Sequence, residues 1–273
     1  MTAVLRGAGR VAGKRVAVIG AGSVGPGWGN GKAAAVLYAR EGGQVLAVDR
    51  DGKAADETVE LIRSEGGSAC GFAGEMTDPE AARSTIEAMI GAFGGLDILH
   101  FNVGISTRGG IEATSYEDWR KVFSVNLDAA FHITKAALPV LERDGGGAIV
   151  FITTLAAHLN GPYPYVGYET SKAALSRLSR SIAIEYAARG VRSNTVVPGM
   201  IDTPHVHAHV ATSTDAGAVA SARAAQVPMK RQGTGWDVAE AALFLASDAA
   251  GFITGADLPV DGGMSILMGN ASV

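Results

Sequence analysis

Short runs of β-branched and apolar residues alternate along the chain with longer segments rich in alanine and leucine. That alternation marks strand-crossover-strand units: a parallel strand is apolar on both faces, whereas the helix that covers it is apolar on one. The runs predict strands at Arg15–Ile19, Gln44–Val48, Ser68–Ala73, Leu96–Phe101, Ala148–Thr153, Val191–Val197 and Asp257–Pro259. The segments between them predict helices over Gly31–Glu41, Lys53–Ser64, Pro79–Phe93, Tyr116–Leu141, Tyr168–Arg189 and Trp236–Ser247. Asp78 before Pro79 reads as an N-cap with proline at the first helical position, and Ser115 before Asp118 resembles a capping box. The expected fold class is α/β, a doubly wound seven-stranded parallel sheet with helices on both faces. Residues 1–273 read as a single domain, because no linker, repeat or low-complexity segment divides them. The least regular stretch, Thr203–Gly235, is expected to be a substrate-binding loop or lid, since loops of about thirty residues are usually functional.

Composition narrows the partners. With 47% hydrophobic and 18% charged residues the chain reads as a soluble globular protein, and its 37 glycines are too dispersed for a linker. A net charge of -4 without any run of lysine or arginine argues against nucleic acid or an anionic membrane, both of which demand a concentrated basic face. A small molecule is the expected partner. The single cysteine, Cys70, allows no internal disulfide, and Met1–Arg10 lacks the apolar core of a signal peptide, so a cytoplasmic setting is expected. Charges interrupt every stretch that approaches the roughly 18 apolar residues needed to span a bilayer.

The first strand is followed by Gly20-Ala21-Gly22-Ser23-Val24-Gly25-Pro26-Gly27-Trp28-Gly29-Asn30-Gly31, which opens directly into a helix. Glycines in such a turn let backbone amides approach a pyrophosphate, and the helix N-terminus adds partial positive charge. Gly20, Gly22, Ser23, Gly29, Asn30 and Gly31 are the candidate contacts. The second strand leads to Asp49, whose carboxylate can accept hydrogen bonds from ribose hydroxyls and would repel a 2′-phosphate. NAD is therefore expected over NADP, although the adjacent Arg50 offers a phosphate some compensation.

Tyr168 and Lys172 stand four residues apart and share a helix face. An unperturbed phenol, with a pKa of about 10, is a poor base at neutral pH, and a neighbouring ammonium is expected to lower it. By spacing alone such a pair is also an ordinary helix-surface pair.

At this point nearly the whole chain resembles the short-chain dehydrogenase/reductase family. The family's Tyr-x-x-x-Lys stands here as Tyr168 and Lys172, its Asn-Ala-Gly as Asn102-Val103-Gly104, and its helix asparagine as Asn126. Pro198-Gly199 with Ile201 and Thr203 resembles the segment that contacts the nicotinamide, and Leu258-Pro259-Val260-Asp261-Gly262-Gly263 resembles the closing signature. The resemblance implies a single-domain Rossmann fold and an oxidoreductase that interconverts a secondary alcohol and a ketone. Tyr168 would be the acid/base, Lys172 would bind the nicotinamide ribose, and Asn126 would hold a water that links Lys172 to solvent. Glu75 and Met76 are implied near the adenine. A homotetramer, or a dimer, is implied through the helices at Tyr116–Leu141 and Tyr168–Arg189, with Met264–Met268 as added interface.

Two departures from the family pattern stand out. Eight residues separate Gly20 from Gly29, five more than usual, and Ile19 replaces the usual threonine, so the glycine loop is enlarged. Trp28 within it either covers the cofactor or packs against the domain. The catalytic serine is replaced by Thr153-Thr154; Thr154 is the expected hydroxyl, with Thr153 as the alternative. His158, Tyr163, Tyr165 and His205 are candidate substrate contacts. The alternate imidazoles His205, His207 and His209 have no carboxylate or cysteine partner nearby, so no metal is expected.

Two other functions fit the same motifs. An NADPH-dependent 3-oxoacyl thioester reductase would need a basic patch for an acidic carrier protein, for which only Arg108, Arg120 and Lys121 are at hand. A catalytically silent dinucleotide-binding protein would have no need of Tyr168, Lys172 and Asn126 together.

Overall fold

The computed structural model describes residues 8–161, 163–204, 206 and 216–267. Strands β1 (Arg15–Ile19), β2 (Gln44–Asp49), β3 (Ser68–Ala73), β4 (Ile98–Phe101), β5 (Gly147–Ile152), β6 (Val191–Pro198) and β9 (Asp257–Val260) form a single parallel sheet. Its order is β3-β2-β1-β4-β5-β6-β9, so the winding reverses between β1 and β4. Each of the seven expected strands is present, with its ends shifted by at most two residues.

Successive strand residues feed opposite layers, as the two-residue period requires. Val16, Val18, Val45 and Ala47 pack with helices α1 (Asn30–Arg40) and α2 (Gly52–Ser64). Ala17, Ile19, Leu46 and Val48 pack with α3 (Pro79–Phe93), α5 (Ala129–Arg143) and α6 (Val166–Tyr186). The N-cap at Asp78 and the cap at Ser115 form as expected, each accepting a backbone N–H of the first turn.

Two expectations are corrected. The long helix expected over Tyr116–Leu141 is interrupted. It runs as α4 (Tyr116–Phe123), then a π-helical turn at Ser124–Asp128, then α5. The extra residue of that turn carries Asn126 inward, where its side chain is fully engaged. The stretch Thr203–Gly235 is not without regular structure. Alanine-rich Ala216–Gln226 forms helix α7, and β8 (Gly233–Thr234) pairs in parallel with β7 (Ile201–Asp202). Helix α8 (Gly235–Ala246) follows behind a capping box of Thr234 and Asp237.

In the middle of the sheet His100 is fully buried, with Nδ1 3.2 Å from the Tyr38 hydroxyl. Its Nε2 has no hydrogen-bond partner. Burial holds the imidazole at about 3, against an ordinary 6.5. The folded protein therefore keeps His100 neutral, while the unfolded chain takes up a proton below pH 6.5. The stability due to this difference is complete above 6.5 and is lost as pH falls toward 3, in all about 5 kcal/mol. Urea unfolding at fixed protein concentration should show His100→Asn losing about 3 kcal/mol less than wild type between pH 6.5 and 4.5. Equal losses would place the acid sensitivity elsewhere.

Candidate active site

The C-terminal ends of β1, β2, β4, β5 and β6 open into one cleft of about 590 Å³ at the point where the winding reverses. That is where open α/β sheets bind ligands, because connections leaving to opposite faces part there. Of the residues singled out in the sequence, Gly20, Gly22, Ser23, Gly29, Asn30, Asp49, Arg50, Glu75 and Met76 line it. So do Asn102, Val103, Gly104, Thr154, Tyr168, Lys172, Pro198, Gly199, Ile201 and Thr203.

Neighbouring strands hold the glycine turn. The amides of Gly20 and Ala21 both donate to Val48 O, and Asn102 Nδ2 donates to Gly20 O at 3.2 Å. Asp49 closes the turn from the next strand, accepting from the Gly22 amide at 2.9 Å and from the Asp51 amide at 3.1 Å. The glycines divide by role. Gly20, Gly22 and Gly29 face the cleft, whereas Gly31 is buried against the turn, where a β-carbon would collide with Gly20 O. Gly31 is thus a packing position outside the cleft lining, although its N–H belongs to the first turn of α1.

The enlarged part of the loop docks away from the cleft. Trp28 packs on Trp236 at the start of α8, with ring centroids 4.6 Å apart. Arg40 lies over Trp236 at 4.9 Å. Between the two alternatives for Trp28, the structure shows packing.

Helix α1 begins behind Gly29 with no side-chain cap and no acidic residue in its first turn, so its leading N–H groups are left for an anion. The leading N–H groups of α1, with the carboxylate of Asp49 beyond the glycine turn, fit an extended dinucleotide: pyrophosphate over α1, adenosine ribose toward Asp49.

At the other end the catalytic candidates converge. Lys172 Nζ donates to Val103 O and Ile152 O, both at 2.9 Å, so the amine hangs between the ends of β4 and β5. Gly104 leaves room for it; a β-carbon there would come within 2.9 Å of Nζ. Burial brings this amine down to about 7. Tyr168, in the first turn of α6, has burial pushing its phenol above the ordinary value, partly opposed by a hydrogen bond with Thr154. The expected lowering of the phenol by Lys172 is thereby corrected. Burial sets the direction of the phenol's shift, and it disfavours the charge of the lysine for the same reason.

Thr153 and Thr154 separate clearly. Thr153 Oγ1 turns to Val196 O at 3.1 Å, and the Thr154 hydroxyl faces Tyr168. Asn126 is fully buried and does not line the cleft. Its Oδ1 accepts from the Ile105 amide at 2.8 Å, and its Nδ2 donates to Ile105 O and to Ser171 Oγ. It thereby ties down Ile105 in the segment after β4, whose Val103 carbonyl holds Lys172.

Three expected substrate contacts lie elsewhere. His158 points to Asp257, 4.0 Å away, Tyr163 is exposed under the Arg108 guanidinium, and Tyr165 bridges to Gly109 without entering the cleft lining. These three are corrected as cleft residues; His205, like His207 and His209, lies outside the described residues. Conversely Asp51, Ala54, Ile105, Val125, Val206 and Arg223 line the cleft without having been singled out. Ile105 and Asp51 were within reach as neighbours of motif residues; Arg223 carries no motif signal at all.

Among the described residues, no helix is long and apolar enough to cross a membrane. A family model described as "Enoyl-(Acyl carrier protein) reductase" matches residues 26–265. The chain is 40% identical to 2,5-dichloro-2,5-cyclohexadiene-1,4-diol dehydrogenase LinX of Sphingobium indicum, over 95% of this chain and 99% of that one. It is 35% identical to the cyclohexanol dehydrogenase of an Acinetobacter species, over 87% and 91%. A solved short-chain dehydrogenase/reductase from Burkholderia xenovorans superposes with a TM-score of 0.92 at 44% identity, covering 96% of this chain and all of that one. Proteins of this kind work with nicotinamide dinucleotides, NAD or NADP. With the motifs in order, the switch-point cleft and these likenesses, the chain is an oxidoreductase of the short-chain dehydrogenase/reductase family.

Proposed function

We propose that the protein is an NAD-dependent dehydrogenase that interconverts a cyclic secondary alcohol and its ketone, with Tyr168 as acid/base. One observation carries the reading: the Tyr168 phenol, with the Thr154 hydroxyl near enough to act on it, shares a cleft with the strand-held amine of Lys172. When bound, the nicotinamide supplies hydride acceptance and return. Thr154 orients the substrate oxygen. Tyr168 takes the alcohol's proton in oxidation and gives it back in reduction. Lys172, which in its ammonium form has one N–H beyond its two carbonyl bonds, binds the nicotinamide ribose. Asn126 acts at one remove by keeping Val103 in place. The substrates for which these relatives are named, a cyclohexadiene diol and cyclohexanol, support a ring alcohol.

Asp49 supports NAD as the cofactor, because its carboxylate would face a 2′-phosphate across the same turn. Purified enzyme assayed with both cofactors should show kcat/KM for NAD exceeding that for NADP by about a hundredfold, or roughly 2.7 kcal/mol. A preference for NADP would reject the assignment of Asp49.

Assembly as a homotetramer belongs to the same reading. Tyr116, Phe131 and Ile184 stand exposed on α4, α5 and α6, and Ile266 on the turn after β9. Light scattering at micromolar concentration should return four times the monomer mass, and a monomer would refute it.

A further inference from the structure

Arg223 is a charged cleft residue for which the proposed reaction has no use. It projects from α7, within the segment between β7 and β8, and lines the cleft together with Thr203, Val206 and Tyr168. Its Nε donates to Gln232 Oε1 at 2.6 Å, which fixes the plane of the guanidinium and leaves its terminal nitrogens as the groups to meet a ligand. The group is partly desolvated, which disfavours its charge. Asp202 and Tyr165 are close enough to act on it electrostatically, and Tyr165 lies three residues before Tyr168, so Arg223 sits toward the catalytic end.

Charge along the cleft is uneven. The carboxylates that line it, Asp49, Asp51 and Glu75, all follow β2 or β3, as does Arg50, whereas the other lining cations, Lys172 on α6 and Arg223 on α7, have no carboxylate beside them in the lining. Asp202 acts on the guanidinium from outside the cleft lining, and an anion bound within the cleft would add to that compensation for its partial loss of water. A planar, fixed guanidinium is the donor best suited to a carboxylate or phosphate oxygen pair.

We infer that Arg223 is a specificity-determining residue that selects secondary alcohols and ketones bearing an anionic substituent. The inference rests on the dehydrogenase reading of the same cleft. It narrows the substrate from a neutral ring alcohol to one that carries a carboxylate or a comparable oxyanion.

The test compares 4-hydroxycyclohexanecarboxylate with its methyl ester. Wild type should prefer the acid at least tenfold in kcat/KM, and Arg223→Gln should lower that acid-to-ester ratio by about ten- to a hundredfold, with partial recovery in Arg223→Lys. The ratio is the deciding readout, because a merely structural role would depress both substrates alike. An unchanged ratio overturns the inference. So does a tenfold or greater weakening of NADH binding with the ratio intact, which would assign the guanidinium to the cofactor's phosphates. If neither alcohol is oxidised with NAD or NADP, the dehydrogenase reading fails by itself. Calorimetric titration of 4-oxocyclohexanecarboxylate into the NADH complex then still decides Arg223, which stands if the wild type binds the acid and Arg223→Gln does not, and falls if both bind equally or neither binds.

Discussion

Tyr168→Phe should lower kcat for the oxidation of a secondary alcohol by about 10²- to 10⁴-fold, while NADH binds with nearly wild-type affinity. The reason lies in the separation of tasks within the cleft. Lys172 is held by the carbonyls of Val103 and Ile152, and the glycine turn by Val48, Asn102 and Asp49, none of which depends on the phenol. Removing one oxygen takes away the proton acceptor and the partner of Thr154, but no group proposed to hold adenosine or pyrophosphate. The raised phenol also sets a sign for pH. The hydroxyl stays protonated at neutral pH, ready to act as an acid, so ketone reduction should run well there while alcohol oxidation should climb toward alkaline pH. Stopped-flow and steady-state rates with NAD and NADH over pH 6 to 10 would check both statements. A Tyr168→Phe enzyme that keeps a tenth or more of wild-type kcat would assign proton transfer to another group.

Gly31→Ala should be the most damaging single change in the glycine loop. Its β-carbon would run into the carbonyl oxygen of Gly20 and approach Asn102 Nδ2 to 2.7 Å. Neither obstacle can swing aside, because Gly20 is tied to Val48 and Asn102 is tied both to Ile19 and to Gly20. Helix α1 must then lift off the strand turn. The cost is expected at about 3 kcal/mol or more, at the upper end for overpacking, with Tm lower by roughly 6–12 °C and NADH binding weakened at least tenfold. Gly25→Ala supplies the internal control. Nothing lies within 4 Å of a β-carbon there, and its backbone is not left-handed, so Tm should stay within about 2 °C of wild type. Equal effects of the two substitutions would mean that the loop tolerates α1 at a different distance.

Sequence and structure agree best where the determinants are local. A parallel strand covered on both faces must be apolar throughout, so β1, β2 and β5 appear as uninterrupted runs, and their order along the chain suffices to count them. Four residues on a helix bring Tyr168 and Lys172 to one side whatever surrounds them, but it was the family motif, not the spacing, that marked them as catalytic candidates. Caps at Asp78 and Ser115 depend only on hydroxyl or carboxylate oxygens next to a first turn. The sequence by itself thus determined the sheet, the family motifs and the chemistry proposed for Tyr168.

What it left open depended on groups distant along the chain meeting in space. Whether Thr153 or Thr154 faces the phenol depends on the pairing of β5 with β6, because Val196 O captures one hydroxyl and leaves the other. The π turn at Ser124–Asp128 follows from the pull of Ile105 and Ser171 on Asn126, not from any preference of those five residues. The shift of the Tyr168 phenol reverses the expectation from its neighbour Lys172, since the burial of each group is a property of the assembled cleft. Arg223 is the clearest case. It lies in an alanine-rich helix with no motif around it, and only the pairing of Ile201–Asp202 with Gly233–Thr234 folds that segment back over the cleft. Short-range pattern specifies strands, helices and the spacing of side chains along one element. Burial, charge and the choice among neighbouring hydroxyls are set by what the other elements bring, and these the tertiary structure alone decided.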